Sequence, residues 1–179
     1  MINDIKAALD VLQKGGVILY PTDTIWGIGC DACNEEAVQR VYAIKNRIDS
    51  KSMLVLMENA ALLERYVDEI PDIAYDLIEL SEKPMTIIYD GARNLAKNLV
   101  AEDGSIGIRI TTEAFSSELI RRFKRPIVST SANISGNPSP ACFKEIDPKI
   151  IEAVDYVVQF RQDDTQKAQP SSIIKLGRS

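Results

Sequence analysis

The chain has 179 residues, of which 45% are hydrophobic and 26% are charged, as is ordinary for a globular protein that can bury a core. Its net charge is −5, so a nucleic-acid partner would have to bind at a local basic patch rather than through the field of the whole molecule. The sequence contains no histidine, which excludes every Ser-His or Cys-His dyad and removes the commonest general base and zinc ligand.

No run of apolar residues approaches the length of about 18 that a membrane helix needs. The first six residues lack the basic and apolar regions of a signal peptide. We therefore expect a cytoplasmic protein without a membrane partner, and the length favours a single domain over residues 1–179.

Helical and strand patterns alternate through the first half of the chain. Asn3 is predicted to cap a helix whose apolar residues are spaced three or four apart, and Gly15 is predicted to end it. A short buried strand over 17–20 ends at Pro21, and Asn34 is predicted to cap the next helix. The other elements predicted here are a strand over 53–57 and helices over 60–67 and 71–80.

The second half continues in an irregular order of elements. Strands are predicted over 85–89 and 105–110, a helix over 113–123, and another strand from Pro126. The stretch 129–140 is rich in Ser, Asn, Gly and Pro and is predicted to be a loop. The last predicted elements are a helix over 147–153 and strands over 155–160 and 172–176. Because the order follows no strict βαβ rhythm, we expect an α/β fold with one mixed, twisted sheet flanked by helices.

Cys30 and Cys33 have the C-x-x-C spacing of redox pairs, and the only other cysteine is Cys142. A helix that follows the pair can lower a thiol pKa, so a redox function is one interpretation of this weak motif. The alternative is two small, half-buried thiols beside a turn in a reducing compartment. A zinc site would need a second pair of cysteine or histidine ligands, which the sequence lacks.

Residues 21–29 combine hydroxyls, a carboxylate and glycines directly after a buried strand. Open α/β sheets place ligand-binding turns at such a position, where the hydroxyls, the carboxylate and the two glycines can bring backbone donors close to a small polar ligand. The alternative is a turn capped by Asp23 and Thr24 with no ligand. The sequence has neither a Walker phosphate-binding loop nor the third glycine of a dinucleotide-binding motif.

Lys45, Arg47 and Lys51 place three cations within seven residues, just after the second predicted helix. They form either a clamp for a polyphosphate or a solvated face that complements the helix dipole. Arg109 stands inside an apolar predicted strand. Because a charged side chain is seldom buried without a partner, we expect Arg109 to reach into a cleft towards an anion.

The predicted loop over 129–140 contains four serines, one threonine and two asparagines. Such uncharged donors on a loop anchored to a strand can bind phosphate oxygens without a Walker motif. The alternative is a surface loop whose Ser and Asn side chains only form internal turns.

Taken in chain order, these clusters resemble the YrdC family. The matching motifs are Pro21–Ala32, Lys45-x-Arg47, Pro84–Thr86, Gly107–Arg109, Ser129–Gly136 and Pro170–Ile174. The resemblance runs from about Gly16 to Leu176, and the combination of motifs is far more specific than any one of them. It implies a YrdC-like twisted sheet of parallel and antiparallel strands around a basic concave cleft.

The resemblance also implies an activity, that of an L-threonylcarbamoyladenylate synthase, which is a nucleotidyltransferase. Such an enzyme converts L-threonine, bicarbonate or CO2, and ATP to threonylcarbamoyl-AMP and pyrophosphate, for the threonylcarbamoyladenosine modification of tRNA. Its partners would include tRNA and other tRNA-modification proteins. A threonine carbamate is itself the nucleophile in this reaction, so the chemistry needs positioned cations and hydroxyls rather than histidine.

Residue roles are carried over by position from the family motifs. The resemblance implies that Lys45 and Arg47 are catalytic. ATP would be bound by Lys45, Arg47, Lys51, Ser129, Ser131, Asn133 and Ser139. Threonine and its carbamate would be bound by Thr22, Thr24, Thr86, Arg109 and Ser171. Mg²⁺ would be held mainly by the phosphates of ATP, without a metal site of the protein's own.

One departure from the family motifs bears directly on function. Many members carry a histidine at the end of the strand that follows the lysine-rich turn, and this chain has Leu56 there. The alternative is therefore a divergent paralogue that binds a nucleotide, or double-stranded RNA or tRNA, without threonine-dependent activity. Two further alternatives are an RNA-binding module without ATP turnover and a small ligand-binding domain of a larger complex.

Overall fold

The structure is a computed structural model that describes residues 1–46 and 53–176. Eight strands occur within these residues: β1 Ile18–Tyr20, β2 Gly27–Gly29, β3 Leu54–Met57, β4 Met85–Tyr89, β5 Ile106–Ile110, β6 Ile127–Ser131, β7 Tyr156–Val157 and β8 Ser172–Lys175. The described helices are α1 Ile2–Gln13, α2 Glu35–Lys45, α3 Asp72–Leu80, α4 Ala114–Phe123 and α5 Pro148–Ala153, with short 3-10 helices at Ala60–Arg65 and Phe143–Glu145.

All eight strands join one sheet in the order β7-β1-β2-β6-β3-β5-β4-β8. The pairs β1–β7, β3–β5 and β4–β8 are parallel, and the other four pairs are antiparallel. The prediction of a mixed sheet with flanking helices is therefore confirmed. None of the helices in the described part of the chain is long and apolar enough to cross a bilayer.

The core lies between the sheet and the helices that cover it. The three residues of β1 are buried, and the predicted apolar face of α1 points inward, with Ile5, Ala8 and Leu12 at most 1% exposed. This helix also packs against α4. Burial of apolar surface over so many side chains is the main force that holds the central strands in place.

The predicted helix starts are partly confirmed. Asn34 caps α2 by accepting a hydrogen bond from the amide of Ala37, as predicted. The prediction for Asn3 is wrong, because α1 begins two residues earlier, with Met1 at its N-cap and no side-chain cap. Three or four apolar residues on one face fix which side of a helix is buried, but they do not fix its first residue.

Strand β2 is missing from the sequence-based prediction, which treated residues 21–29 as a ligand-binding turn. Its glycines are needed for close packing between strands. A Cβ on Gly29 would lie 2.5 Å from Cε1 of Tyr20 and 2.7 Å from the carbonyl oxygen of Val128. Glycine weakens a strand pattern in the sequence, and here it marks a close approach of neighbouring strands.

Two other predicted boundaries are corrected. The loop predicted from Ser129 begins only after Ser131, because Ser129–Ser131 belong to β6 and pair with β2 and β3. The strand predicted over 155–160 is reduced to β7, Tyr156–Val157. In both cases the pairing partner is distant in the sequence and sets the limit of the strand.

Candidate functional site

A cleft with a volume of about 640 Å³ opens over the middle of the sheet, where β6, β3 and β5 are neighbours. Among the described residues, its lining includes the cations Lys45 and Arg109 and no carboxylate. Six other residues predicted for the site line the same cleft: Thr24, Ser129, Ser131, Asn133, Ser139 and Ser171. The structure thus gathers into one cavity side chains that lie up to 147 positions apart in the sequence, from Thr24 to Ser171.

Lys45 is the last residue of α2 and is only 1% exposed. It continues the buried stripe of Ala37 and Val41 at a spacing of four residues, so its side chain is directed inward. Its ammonium donates to the carbonyl oxygen of Ser131 at 2.5 Å and to Oδ1 of Asn133 at 3.2 Å. These bonds hold the charge of Lys45 at the wall of the cleft.

The segment after β6 is held to α2 and to itself. The amide of Ser135 donates to the carbonyl oxygen of Lys45 at 2.9 Å. The side-chain amide of Asn133 donates to the carbonyl oxygen of Asn137 at 2.7 Å, and the hydroxyl of Ser131 donates to Oδ1 of Asn133. The loop therefore forms the predicted internal turns, and it also lines the cleft.

Arg109 lies in β5 and is 3% exposed. Its Nε donates to Oδ1 of Asp23 at 3.0 Å, and its Nη2 lies 2.9 Å from the same oxygen. Nη2 also donates to Oγ1 of Thr24 at 3.1 Å, and Nη1 lies 3.4 Å from Oγ of Ser171. The guanidinium is thus held firmly along its Nε–Nη2 edge and only loosely at Nη1.

Thr22 and Thr86 lie beneath the surface of the cleft and form hydrogen bonds with residues that line it. Both are buried, and neither is among the described residues that line the cleft. Thr86 shares a 2.7 Å hydrogen bond with Ser171, which joins β4 to the residue just before β8. Thr22 accepts from the amide of Thr24 at 3.0 Å and donates to the carbonyl oxygen of Ile25 at 2.8 Å. Of the five residues predicted to bind threonine and its carbamate, Thr24, Arg109 and Ser171 line the cleft.

Asp23 was predicted only as part of the ligand-binding turn, and no partner was predicted for its carboxylate. The expectation that a buried arginine needs an anion is met by this carboxylate of the protein itself. Burial raises the pKa of the Asp23 carboxyl above its ordinary value, while the Arg109 guanidinium acts in the opposite direction. The ion pair with Asp23 compensates the charge of Arg109. Lys45 is the other cation among the described residues that line the cleft.

Arg161 is a residue that the prediction missed. Its backbone has a positive φ of 68°, and its Nη1 donates to the carbonyl oxygen of Thr22 at 2.9 Å. The same nitrogen lies 3.4 Å from the Glu113 carboxylate at the start of α4. Arg161 therefore anchors the turn that carries Asp23 and Thr24. No local sequence pattern indicated this contact, because 139 positions separate Arg161 from Thr22.

Leu56, where a family histidine is common, is fully buried in β3. It is in register with Arg109 of β5 and with Ile127 of β6. Leu54 is among the described residues that line the cleft, whereas Leu56 is not. The apolar side chain at position 56 thus contributes to the core beside Arg109.

Arg47 and Lys51, the other two predicted ATP-binding cations, lie outside the described residues. Within the described ranges there is no group of three or more Cys, Asp or Glu side chains that could hold a metal ion. The lining of hydroxyls, amides and cations suits phosphate oxygens.

The C-x-x-C pair has the properties of structural thiols. Cys30 is fully buried, and both cysteines are free in the structure. Burial raises the pKa of the Cys30 thiol above its usual range and raises the pKa of Cys33 to about 11. A reactive cysteine needs a lowered pKa, so the interpretation as half-buried structural thiols is favoured.

Comparison with known proteins places the chain in a family. The family model Sua5/YciO/YrdC, described as telomere recombination, matches residues 10–179. The threonylcarbamoyl-AMP synthase of Pseudoalteromonas translucida is 35% identical over 172 residues, which are 94% of this chain and 91% of that protein. The protein of the same name from Stenotrophomonas maltophilia is 33% identical over 158 residues, which are 86% of this chain and 84% of the relative.

Solved structures agree in fold. The crystal structure of P. abyssi Sua5 complexed with L-threonine superimposes with a TM-score of 0.84 at 24% identity, over 96% of this chain and 50% of that one. This chain therefore spans about half the length of that Sua5. The crystal structure of E. coli YciO gives a TM-score of 0.83 at 23% identity, over 97% of this chain and 84% of that one. Together with the match to residues 10–179, these findings show that the chain belongs to the Sua5/YciO/YrdC family.

Proposed function

We propose that the protein is a threonylcarbamoyl-AMP synthase, an enzyme that forms an AMP adduct from L-threonine, bicarbonate or CO2, and ATP. One observation carries the proposal: Lys45 and Arg109, from distant parts of the sequence, line a single cleft together with a series of hydroxyls. Relatives that match most of this chain bear that name. The reaction would take place in the cytoplasm as a step in tRNA modification, with tRNA and other modification proteins as partners.

The reaction suits a site without histidine. The amine of threonine adds CO2 to give a carbamate, and a carbamate oxygen attacks the α-phosphorus of ATP. A new bond forms between the carbamate oxygen and the α-phosphorus. The bond from the α-phosphorus to the oxygen that bridges it to the β-phosphorus breaks, and pyrophosphate leaves with that oxygen. The protein needs to bring two anions together and to stabilise the charge on the leaving group.

Each described residue has a role that follows from its position. Lys45 supplies a fixed positive charge for the phosphates, beside the hydroxyls of Ser129, Ser131 and Ser139 and the amide of Asn133. Arg47 and Lys51 would add cations from the segment that follows. Mg²⁺, carried by ATP, would neutralise phosphate charge.

The threonine moiety would bind at the other part of the cleft. Arg109 is within hydrogen-bond distance of both Ser171 and Thr24 there, and the donors of these residues suit a carboxylate and a carbamate. Thr86 holds Ser171, and Thr22 shapes the turn that carries Thr24. The two groups of residues would thus bind the two reactants on adjoining walls.

The test is direct synthesis of the product. Purified protein is incubated with radiolabelled bicarbonate, L-threonine, ATP and Mg²⁺, and the mixture is analysed for pyrophosphate and a labelled adenylate. We expect both products with threonine and neither when serine or alanine replaces it. Binding of ATP without a labelled adenylate would contradict the proposal and point to a nucleotide-binding paralogue.

A further inference from the structure

Asp23 lines a second, smaller cavity and pairs with Arg109, which lines the cleft. Arg109 and Thr24 line the cleft, and Asp23 and Lys83 line the smaller cavity of about 170 Å³. The carboxylate receives both Nε and Nη2 of Arg109 on its Oδ1. Because both contacts come from the same edge of the guanidinium, they fix which edge faces Asp23 and which faces away from it.

We propose that Asp23 is a positioning residue that holds Arg109 with its Nη1 edge towards the cleft, where the carboxylate of the amino-acid substrate binds. Nη1 is the end of the guanidinium that has only the long 3.4 Å contact with Ser171. It therefore has donors left for a ligand, whereas Nε and Nη2 are occupied by Asp23 and Thr24. This inference rests on the proposed function for the identity of the ligand.

The turn itself does not depend on the Asp23 carboxylate. Thr22 closes it through bonds to the amide of Thr24 and the carbonyl oxygen of Ile25. Arg161 ties it to the rest of the protein through the carbonyl oxygen of Thr22. Removal of the carboxylate should therefore leave the backbone in place and release Arg109 alone.

Asp23 also compensates the charge of Arg109, which is only 3% exposed. Burial raises the pKa of the Asp23 carboxyl, while the adjacent Arg109 acts in the opposite direction. The carboxylate thus both neutralises the guanidinium and orients it.

The experiment compares Asp23→Ala and Asp23→Asn with a matched control, Asp31→Ala. Asp31 is also a buried carboxylate with an arginine partner, Arg125 at 2.9 Å, but neither residue is among the described lining of the cleft. The first readout is the NMR signal of the Arg109 Nε–H in ligand-free protein, assigned by its loss in Arg109→Lys. The second is the dissociation constant of L-threonine and, separately, that of a non-hydrolysable ATP analogue.

We expect Asp23→Ala to shift or broaden the Nε–H signal and to weaken threonine binding at least about tenfold, with binding of the ATP analogue changed less than about twofold. Asp23→Asn keeps an oxygen acceptor for Nε and should recover most of the threonine affinity. Asp31→Ala should leave the signal and both affinities unchanged.

An unchanged Nε–H signal in Asp23→Ala, or equal losses of threonine and ATP binding, would overturn the inference. The Nε–H signal needs no ligand, so it tests the positioning by itself. Failure of the unaltered protein to bind threonine would instead count against the proposed function.

Discussion

The ammonium of Lys45 lies 2.5 Å from the carbonyl oxygen of Ser131, and this contact joins the end of α2 to the end of β6 at the cleft. A lysine in such a position has two tasks. It presents charge to a ligand, and it holds together two elements of the wall.

Replacement of Lys45 by methionine should affect both tasks. We expect affinity for a non-hydrolysable ATP analogue to fall at least about tenfold, because a charge-assisted contact with phosphate is lost. The free energy of unfolding should fall by about 1–3 kcal/mol, because the carbonyl of Ser131 loses its buried donor. Calorimetric titration and urea unfolding measure the two effects, and the exposed Lys149→Met serves as the control. Normal binding of the ATP analogue by Lys45→Met would refute the assignment of Lys45 to the phosphates.

Replacement of Thr86 by valine removes the 2.7 Å hydrogen bond to Ser171 and keeps the shape of the side chain. The loss of one such bond is worth about 1 kcal/mol, so we expect KM for threonine to rise about fivefold. The KM for ATP should not change, because the bond lies on the threonine side of the cleft. Steady-state assays of pyrophosphate release give both constants. An equal rise in the two values would show that Ser171 serves the whole cleft.

Replacement of Gly29 by alanine tests the role of the glycines in β2. The new Cβ would lie 2.5 Å from the Tyr20 ring, so we expect overpacking to lower the free energy of unfolding by about 1–3 kcal/mol. Gly104→Ala is the control: its φ is +81° but no atom lies within 4 Å, so only about 1 kcal/mol of backbone strain is expected. Urea unfolding compares the two variants. A neutral Gly29→Ala would contradict the need for glycine in the close packing of β2.

The two thiols of the C-x-x-C pair should be unreactive in the native protein. Ionised thiolate is the reactive form, and burial raises the pKa of Cys33 to about 11, so the thiolate fraction is small at neutral pH and grows as the pH rises towards that value. Ellman's reagent at pH 7.5 should therefore react with Cys30 and Cys33 only after unfolding. A Cys142→Ser background isolates these two residues. Rapid reaction of the native variant would restore the redox hypothesis.

Parts of the structure that depend on local chemistry were predictable from the sequence. Asn34 caps α2 as predicted, because a cap needs only its own side chain and an amide three residues later. The turn after β1 was singled out for the same reason. Its partners were not predictable, because Arg109 and Arg161 are 86 and 139 positions from the residues that they contact. The need of Arg109 for an anion was clear, whereas the identity of that anion depended on the tertiary fold.

The order of the strands has a consequence for synthesis on the ribosome. Strands β7 and β8 form opposite edges of the sheet, and the chain between them delivers Pro170 and Ser171 to the cleft. Translation therefore produces Lys45, Arg109 and the β6 loop well before the last wall of the cavity exists. The described lining of the cleft is complete only when Pro170, Ser171 and Ile173 have been added.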